Sequence, residues 1–239
     1  MQGVLYQNGE GIKMTKVLIF DSGAIISLAM NGLLYILKKL KIDTDIKFVI
    51  SKQVKEEIID VPIQIKKYEL EALSIQQLIN DKILESPSVL GIDENEVNSE
   101  TSRFMEIANN MYLAQGERMR IVSKAESSCI ALSILLTRRK IDNLVVIDER
   151  TIRMLCENPE NLQELYEKKL HTDVTMTYKK ATDVNCKIIR SSELAYIAYK
   201  KGLIEIKDGK QLLDALLYAV KFKGCAISTE EIDEIKTID

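Results

Sequence analysis

Four acidic residues occupy positions from which their carboxylates could act together. Asp21 ends the apolar run Val17-Leu18-Ile19-Phe20, and Asp148 ends a second run, Leu144-Val145-Val146-Ile147. Glu57 lies two turns into a helical stretch that opens at Ser51, and Glu126 lies at the start of another that opens at Ser123. Carboxylates crowded at one sheet edge repel each other and resist ionisation unless a cation neutralises them. Oxygen-only ligands suit the hard ions Mg²⁺ or Mn²⁺. Such ions activate water and stabilise the attacking and leaving oxygens of a phosphodiester.

Each acid taken singly also has a purely structural reading. Asp21 and Asp148 stand where N-caps stand, and Ser123-Lys124-Ala125-Glu126 has the form of a capping box. Glu57, with its neighbour Glu56, could form a solvated helix face. Three further residues border the acids. Ser22 could bind a phosphate, hold Asp21 or satisfy its own helix start. Glu149 supports Asp148. Arg153 could steady the acids or contact a phosphate, and a structural salt bridge is the competing role.

Other chemistries are restricted by what the chain lacks. His171 is its only histidine and lies in the polar stretch Lys168-Lys169-Leu170-His171-Thr172-Asp173, so a Ser-His-Asp triad or a histidine-rich zinc site is hard to build. Cys129, Cys156, Cys186 and Cys225 form no Cys-x-x-Cys pair and read as small core residues. A phosphatase or receiver reading of Asp21 meets Gly23 where an Asp-x-Asp pair needs its second acid. The net charge of −3 argues against a global positive field, leaving local clusters such as Arg118 with Arg120.

The elements that must position these residues alternate between strand and helix. The continuous apolar run at 17–20 reads as a strand buried on both faces; 46–50 reads as a second strand, 83–85 as a short one, 144–147 as the clearest and 186–190 as the last. Helices are expected at 24–28, 33–40, 53–59, 63–80, 100–115, 122–139, 150–155, 192–201, 209–221 and 229–237, with an acidic loop at 88–100. The alternation predicts an α/β fold with a central parallel sheet flanked by helices, its strand ends sharing one edge. Residues 1–13 read as a leader with a frayed, flexible character, and 14–239 as a single domain. With no signal pattern and no bilayer-length apolar run, the expectation is a cytoplasmic protein without a membrane span.

The motifs in order carry a family resemblance. Val17-Leu-Ile-Phe-Asp21-Ser-Gly-Ala-Ile-Ile-Ser-Leu28 resembles the first strand and acid of PIN domains. Ser51-Lys-Gln-Val-Lys-Glu-Glu57 is similar to the family's second motif, Glu126-Ser-Ser-Cys-Ile-Ala-Leu-Ser133 to its third, and Leu144-Val-Val-Ile-Asp148-Glu-Arg-Thr-Ile-Arg153 to its fourth. Glu193-Leu-Ala-Tyr-Ile-Ala-Tyr-Lys-Lys-Gly-Leu-Ile204 resembles the carboxyl-terminal part of a prokaryotic PIN subgroup.

The resemblance implies a three-layer PIN-like fold with Asp21, Glu57, Glu126 and Asp148 as catalytic residues and ligands of Mg²⁺ or Mn²⁺. It also implies endoribonuclease activity on RNA, as in toxin nucleases and RNA-processing enzymes, and admits a homodimer and a protein partner such as an antitoxin. The alternative is a non-catalytic PIN-like module that binds RNA or protein. The chain departs from a minimal PIN domain by insertions at about 60–118 and 156–184, a carboxyl-terminal helical part from about 191, and Glu149 where many members have Asp.

Overall fold

The computed structural model describes residues 5–8, 11–14, 17–42, 44–206 and 211–238. Strands β1 (Leu5–Asn8) and β2 (Gly11–Met14) pair antiparallel. They fall in the stretch expected as a leader, whose remaining residues lie outside those described. Five strands build the central parallel sheet: β3 (Val17–Phe20), β4 (Lys47–Val49), β5 (Leu84–Glu85), β8 (Asn143–Val146) and β10 (Ile188–Ile189), in the order β10-β8-β3-β4-β5. All four pairings are parallel. β3 and β8 are buried along their whole length, as continuous apolar runs between helices must be.

The chain winds one way from β3 through β4 to β5, then returns past β3 and winds the other way from β8 to β10. β3 and β8 are therefore neighbours at a topological switch point. In open parallel sheets of this kind ligands bind at the carboxyl ends of the strands beside such a point. The ladder continues one residue beyond β3, because the Asp21 N–H donates to the Val146 carbonyl at 3.0 Å.

Helices flank the sheet. After β3 come α1 (Ser22–Met30) and α2 (Tyr35–Ile42); after β4 comes α3 (Lys52–Lys55), which widens into a π-helical turn over Glu56–Asp60 before α4 (Glu69–Asn80). Then follow α5 (Glu94–Ala108), α6 (Lys124–Arg138), α7 (Arg150–Glu157), α8 (Pro159–Leu170), α9 (Ser191–Lys200), α10 (Leu212–Phe222) and α11 (Thr229–Lys236). Of the helix expected at 209–221, residues 209 and 210 lie outside those described. No single described helix is long and apolar enough to cross a bilayer; α1 and α2 are so only as a pair, bent by 111°.

Two stretches differ from expectation. The acidic segment at 88–100 is helical from Glu94, because Asp93 accepts the Asn95 N–H at 2.7 Å and acids in a first turn suit the helix dipole. The helix expected to reach residue 115 ends at Ala108. Beyond it β6 (Tyr112–Ala114) and β7 (Glu117–Arg118) form a hairpin, and β9 (Val174–Met176) joins its other edge. The segments expected as two insertions thus meet in one small antiparallel sheet.

Candidate functional site

Asp21 caps α1 and is 3% exposed. One carboxylate oxygen accepts the Gly23 N–H at 3.1 Å, and a Cβ at position 23 would lie 3.3 Å from that oxygen, so glycine leaves the room this bond needs. Burial pushes the carboxyl up to about 7; the charges of Glu126 and Glu57 add to the shift, and the Gly23 and Ser22 N–H groups oppose it. Cys129 of α6 lies beneath, its thiol 3.6 Å from the Phe20 carbonyl and 4.0 Å from Asp21 Oδ1.

Glu57 reaches the same edge from the π-helical turn, whose wider ring offsets it from the α-helical frame of α3. Its Oε2 accepts the Ser22 hydroxyl at 2.7 Å. Ser22 therefore holds the second acid, a role distinct from the three its position suggested. Ser51 fixes the start of the supporting helix by accepting the Val54 N–H at 3.1 Å. The Ser51 and Ser128 hydroxyls meet at 2.6 Å and tie that start to α6. The segments carrying Glu57 and Glu126 are thereby joined in the core.

Glu126 realises the capping box: it accepts the Ser123 N–H at 2.7 Å, while the Ser123 hydroxyl accepts the Glu126 N–H at 3.2 Å. This does not exclude it from the acid cluster. Its carboxyl is raised, chiefly by burial, and the charges of Glu149 and Glu57 act in the same direction. Glu149 is exposed and caps α7 by accepting the Ile152 N–H at 3.0 Å. Asp21, Glu57, Glu126 and Glu149 therefore share one electrostatic neighbourhood.

Asp148 is engaged elsewhere. Both of its oxygens accept bonds from the first residue of α9, from the Ser191 N–H at 2.7 Å and from the Ser191 hydroxyl at 2.7 Å. Register supplies the reason. Phe20 is level with Val146, so Asp21 is level with Ile147, and Asp148 stands one step further, beyond the end of β8. Burial raises the Asp148 carboxyl, and Ser191 and Cys225 partly offset this as donors.

Arg153 makes the structural contact, 3.9 Å from Glu231. Glu231 is held more closely by the buried Arg190 at 2.7 Å, and Arg190 also binds Glu193 through Nε at 2.9 Å. This network, absent from the sequence reading, fastens the start of α9 to α11. Tyr166 of α8 was also missed. It meets Tyr112 edge-on at 5.9 Å and lies within the field of Glu149 and Glu126, which brings the second insertion beside the acids. His171 ends α8 as an exposed left-handed cap, as its polar setting suggested.

Among the described residues, no group of three or more His, Cys, Asp or Glu side chains is spaced to hold a metal ion. Three of the acids are held by hydrogen bonds: Glu57 by the Ser22 hydroxyl, Glu126 by the Ser123 N–H and Glu149 by the Ile152 N–H. Arg118, Arg120 and Lys124 stand on the stretch that leads into Glu126, and Arg150 follows Glu149; none forms an ion pair with another described residue. No family model, curated protein or solved structure matches this chain.

Proposed function

We propose that this chain is a PIN-like, divalent-metal-dependent endoribonuclease acting on RNA in the cytoplasm. The supporting observation is the hydrogen bond by which Ser22, next to Asp21 at the β3–β8 switch point, holds Glu57, with Asp21 and Glu126 each raised in part by the charges of neighbouring acids. The donor set suits Mg²⁺ or Mn²⁺: it is oxygen only, and its most buried member has its carboxyl pushed up to about 7 by burial and by its acidic neighbours.

Asp21, Glu57 and Glu126 would hold the ion, with Glu149 beside them. A bound hard cation supplies charge to the phosphodiester oxygens and activates water. The chain's own residues do the rest. Ser22 orients Glu57, Gly23 orients Asp21, and Glu126 and Glu149 would release their capping bonds in exchange for the ion. Asp148 keeps β8 and the start of α9 in register through Ser191 and does not serve as a ligand in this account. Arg118, Arg120, Lys124 and Arg150 offer unpaired cations to the phosphates flanking the cut.

The wide spacing of the carboxylates favours a second reading, a PIN-like module that binds RNA without cutting it. Incubating the purified chain with single-stranded and structured RNAs in Mn²⁺, beside a chelator control and Asp21→Asn, separates the two. The nuclease reading expects cleavage lost in both controls; the binding reading expects retention of RNA without turnover.

A further inference from the structure

We propose that the cavity between α7, α10 and the start of α11 seats a dianionic phosphate, the terminal phosphomonoester of an RNA strand. The proposal rests on the RNA reading of the acid-lined edge and names the substrate class of that site. The cavity measures about 590 Å³ and is lined by Arg150, Arg153 and Lys221, with Cys225 and Ser228 on its wall.

Its charges are unbalanced. Arg150 and Arg153 are three residues apart on α7 and so share a face, and Lys221 comes from the last turn of α10. Arg150 forms no ion pair with another described residue. Arg153 lies in the field of Glu157 and 3.9 Å from Glu231, and the Glu231 carboxylate already accepts from Arg190 at 2.7 Å and from the Ser228 N–H at 2.8 Å. Lys221 donates to the neutral Thr229 hydroxyl at 2.9 Å and lies in the field of the exposed Glu230. Three cations thus border an open volume whose one lining carboxylate is committed elsewhere.

Guanidinium groups present paired donors that match phosphate oxygens, and an ammonium adds a compact charge. An internal phosphodiester carries one negative charge, whereas a terminal phosphomonoester carries nearly two at neutral pH. The surplus of cations matches the second. Arg150 directly follows Glu149, so a strand anchored here by its end would continue onto the acid cluster.

The test is anisotropy of short labelled RNAs of one sequence bearing a 5′-phosphate, a 3′-phosphate or hydroxyl ends, titrated with the full chain in chelator so that nothing is cut. One phosphorylated end is expected to bind about tenfold tighter than the hydroxyl form, the worth of one charge-assisted hydrogen bond. Lys221→Gln should erase most of that preference while leaving the hydroxyl form's affinity within about twofold. Equal affinity for all three RNAs overturns the proposal. So does thermal stabilisation by inorganic phosphate without any end preference, which would assign the cavity to a small anion. Because the assay needs neither metal nor turnover, its failure leaves the nuclease reading standing, and loss of cleavage leaves the end preference standing.

Discussion

The Ser22 hydroxyl donates to Glu57 Oε2 at 2.7 Å, across 35 positions of sequence, and links the residue after the first acid to the second acid. Groups that orient a metal ligand commonly carry ten- to a hundredfold of affinity or activity, roughly the range found when such partners are removed. Ser22→Ala is therefore expected to lower cleavage and Mn²⁺ affinity by about tenfold or more, while thermal stability falls by about 1 kcal/mol, the net worth of one hydrogen bond. Parallel metal titration and calorimetry check both halves. A loss of stability with unchanged metal affinity would assign Ser22 to the fold alone.

Asp21 gives a signed pH dependence. Its carboxyl is raised from 3.8 to about 7 in the folded chain, so the folded state holds a proton that the unfolded state has released. Below the unfolded value both states are protonated and there is no penalty. Stability then falls as pH rises through the window from about 4 to 7 and levels off above it, by at most roughly 4 kcal/mol. Asp21→Asn keeps the capping acceptor and removes the charge, so metal-free Asp21→Asn should be more stable than the parent at pH 8 and similar at pH 4. Denaturant midpoints across that range measure the difference; a variant less stable at pH 8 contradicts it.

Asp148 should behave in the opposite way. Asp148→Ala strands the buried Ser191 N–H and hydroxyl, at a cost of about 1–3 kcal/mol for each unsatisfied group. Ser191→Ala should cost less, and the double variant should recover part of the sum, giving a coupling of about 1 kcal/mol in a double-mutant cycle. Additive losses would mean that the two residues act separately. Cleavage by Asp148→Ala, measured well below its melting temperature, should persist.

Most of the frame is legible in the sequence, because the signals involved are local. β3 and β8 are continuous apolar runs ending in acid, and Ser51 and Ser123 announce the helices that carry Glu57 and Glu126. The partner of Asp148 is not local information. It depends on the pairing of Phe20 with Val146, which puts Asp148 one step beyond the level of Asp21, and on Ser191, 43 positions away, which bonds both of its oxygens. The β6–β9 pairing is likewise invisible along the chain, because Tyr112–Ala114 finds its partner some 60 residues away in another insertion. Asp93 is hidden among acidic residues that read as an acidic loop although they suit a helix start.

The capping bonds of Glu126 and Glu149 offer a readout independent of turnover. If both carboxylates move to an ion, the Ser123 and Ile152 amides lose their acceptors, and their hydrogen exchange should speed up on adding Mg²⁺ while the amides of β3 and β8 slow or stay unchanged. Amides at 123 and 152 that slow together with the rest would mean that the ion binds without recruiting these two glutamates.

The most direct measurement is cleavage of a labelled RNA panel in Mn²⁺ by the parent chain, by Asp21→Asn and by Glu57→Gln, with a chelator control and folding verified for each. The account expects fragments from the parent alone, with chelator abolishing them and either amide lowering the rate by at least about a hundredfold, the scale of removing one directly acting group. Fragments produced equally by the parent and the amide variants, or RNA bound without cleavage under every metal condition, would contradict it.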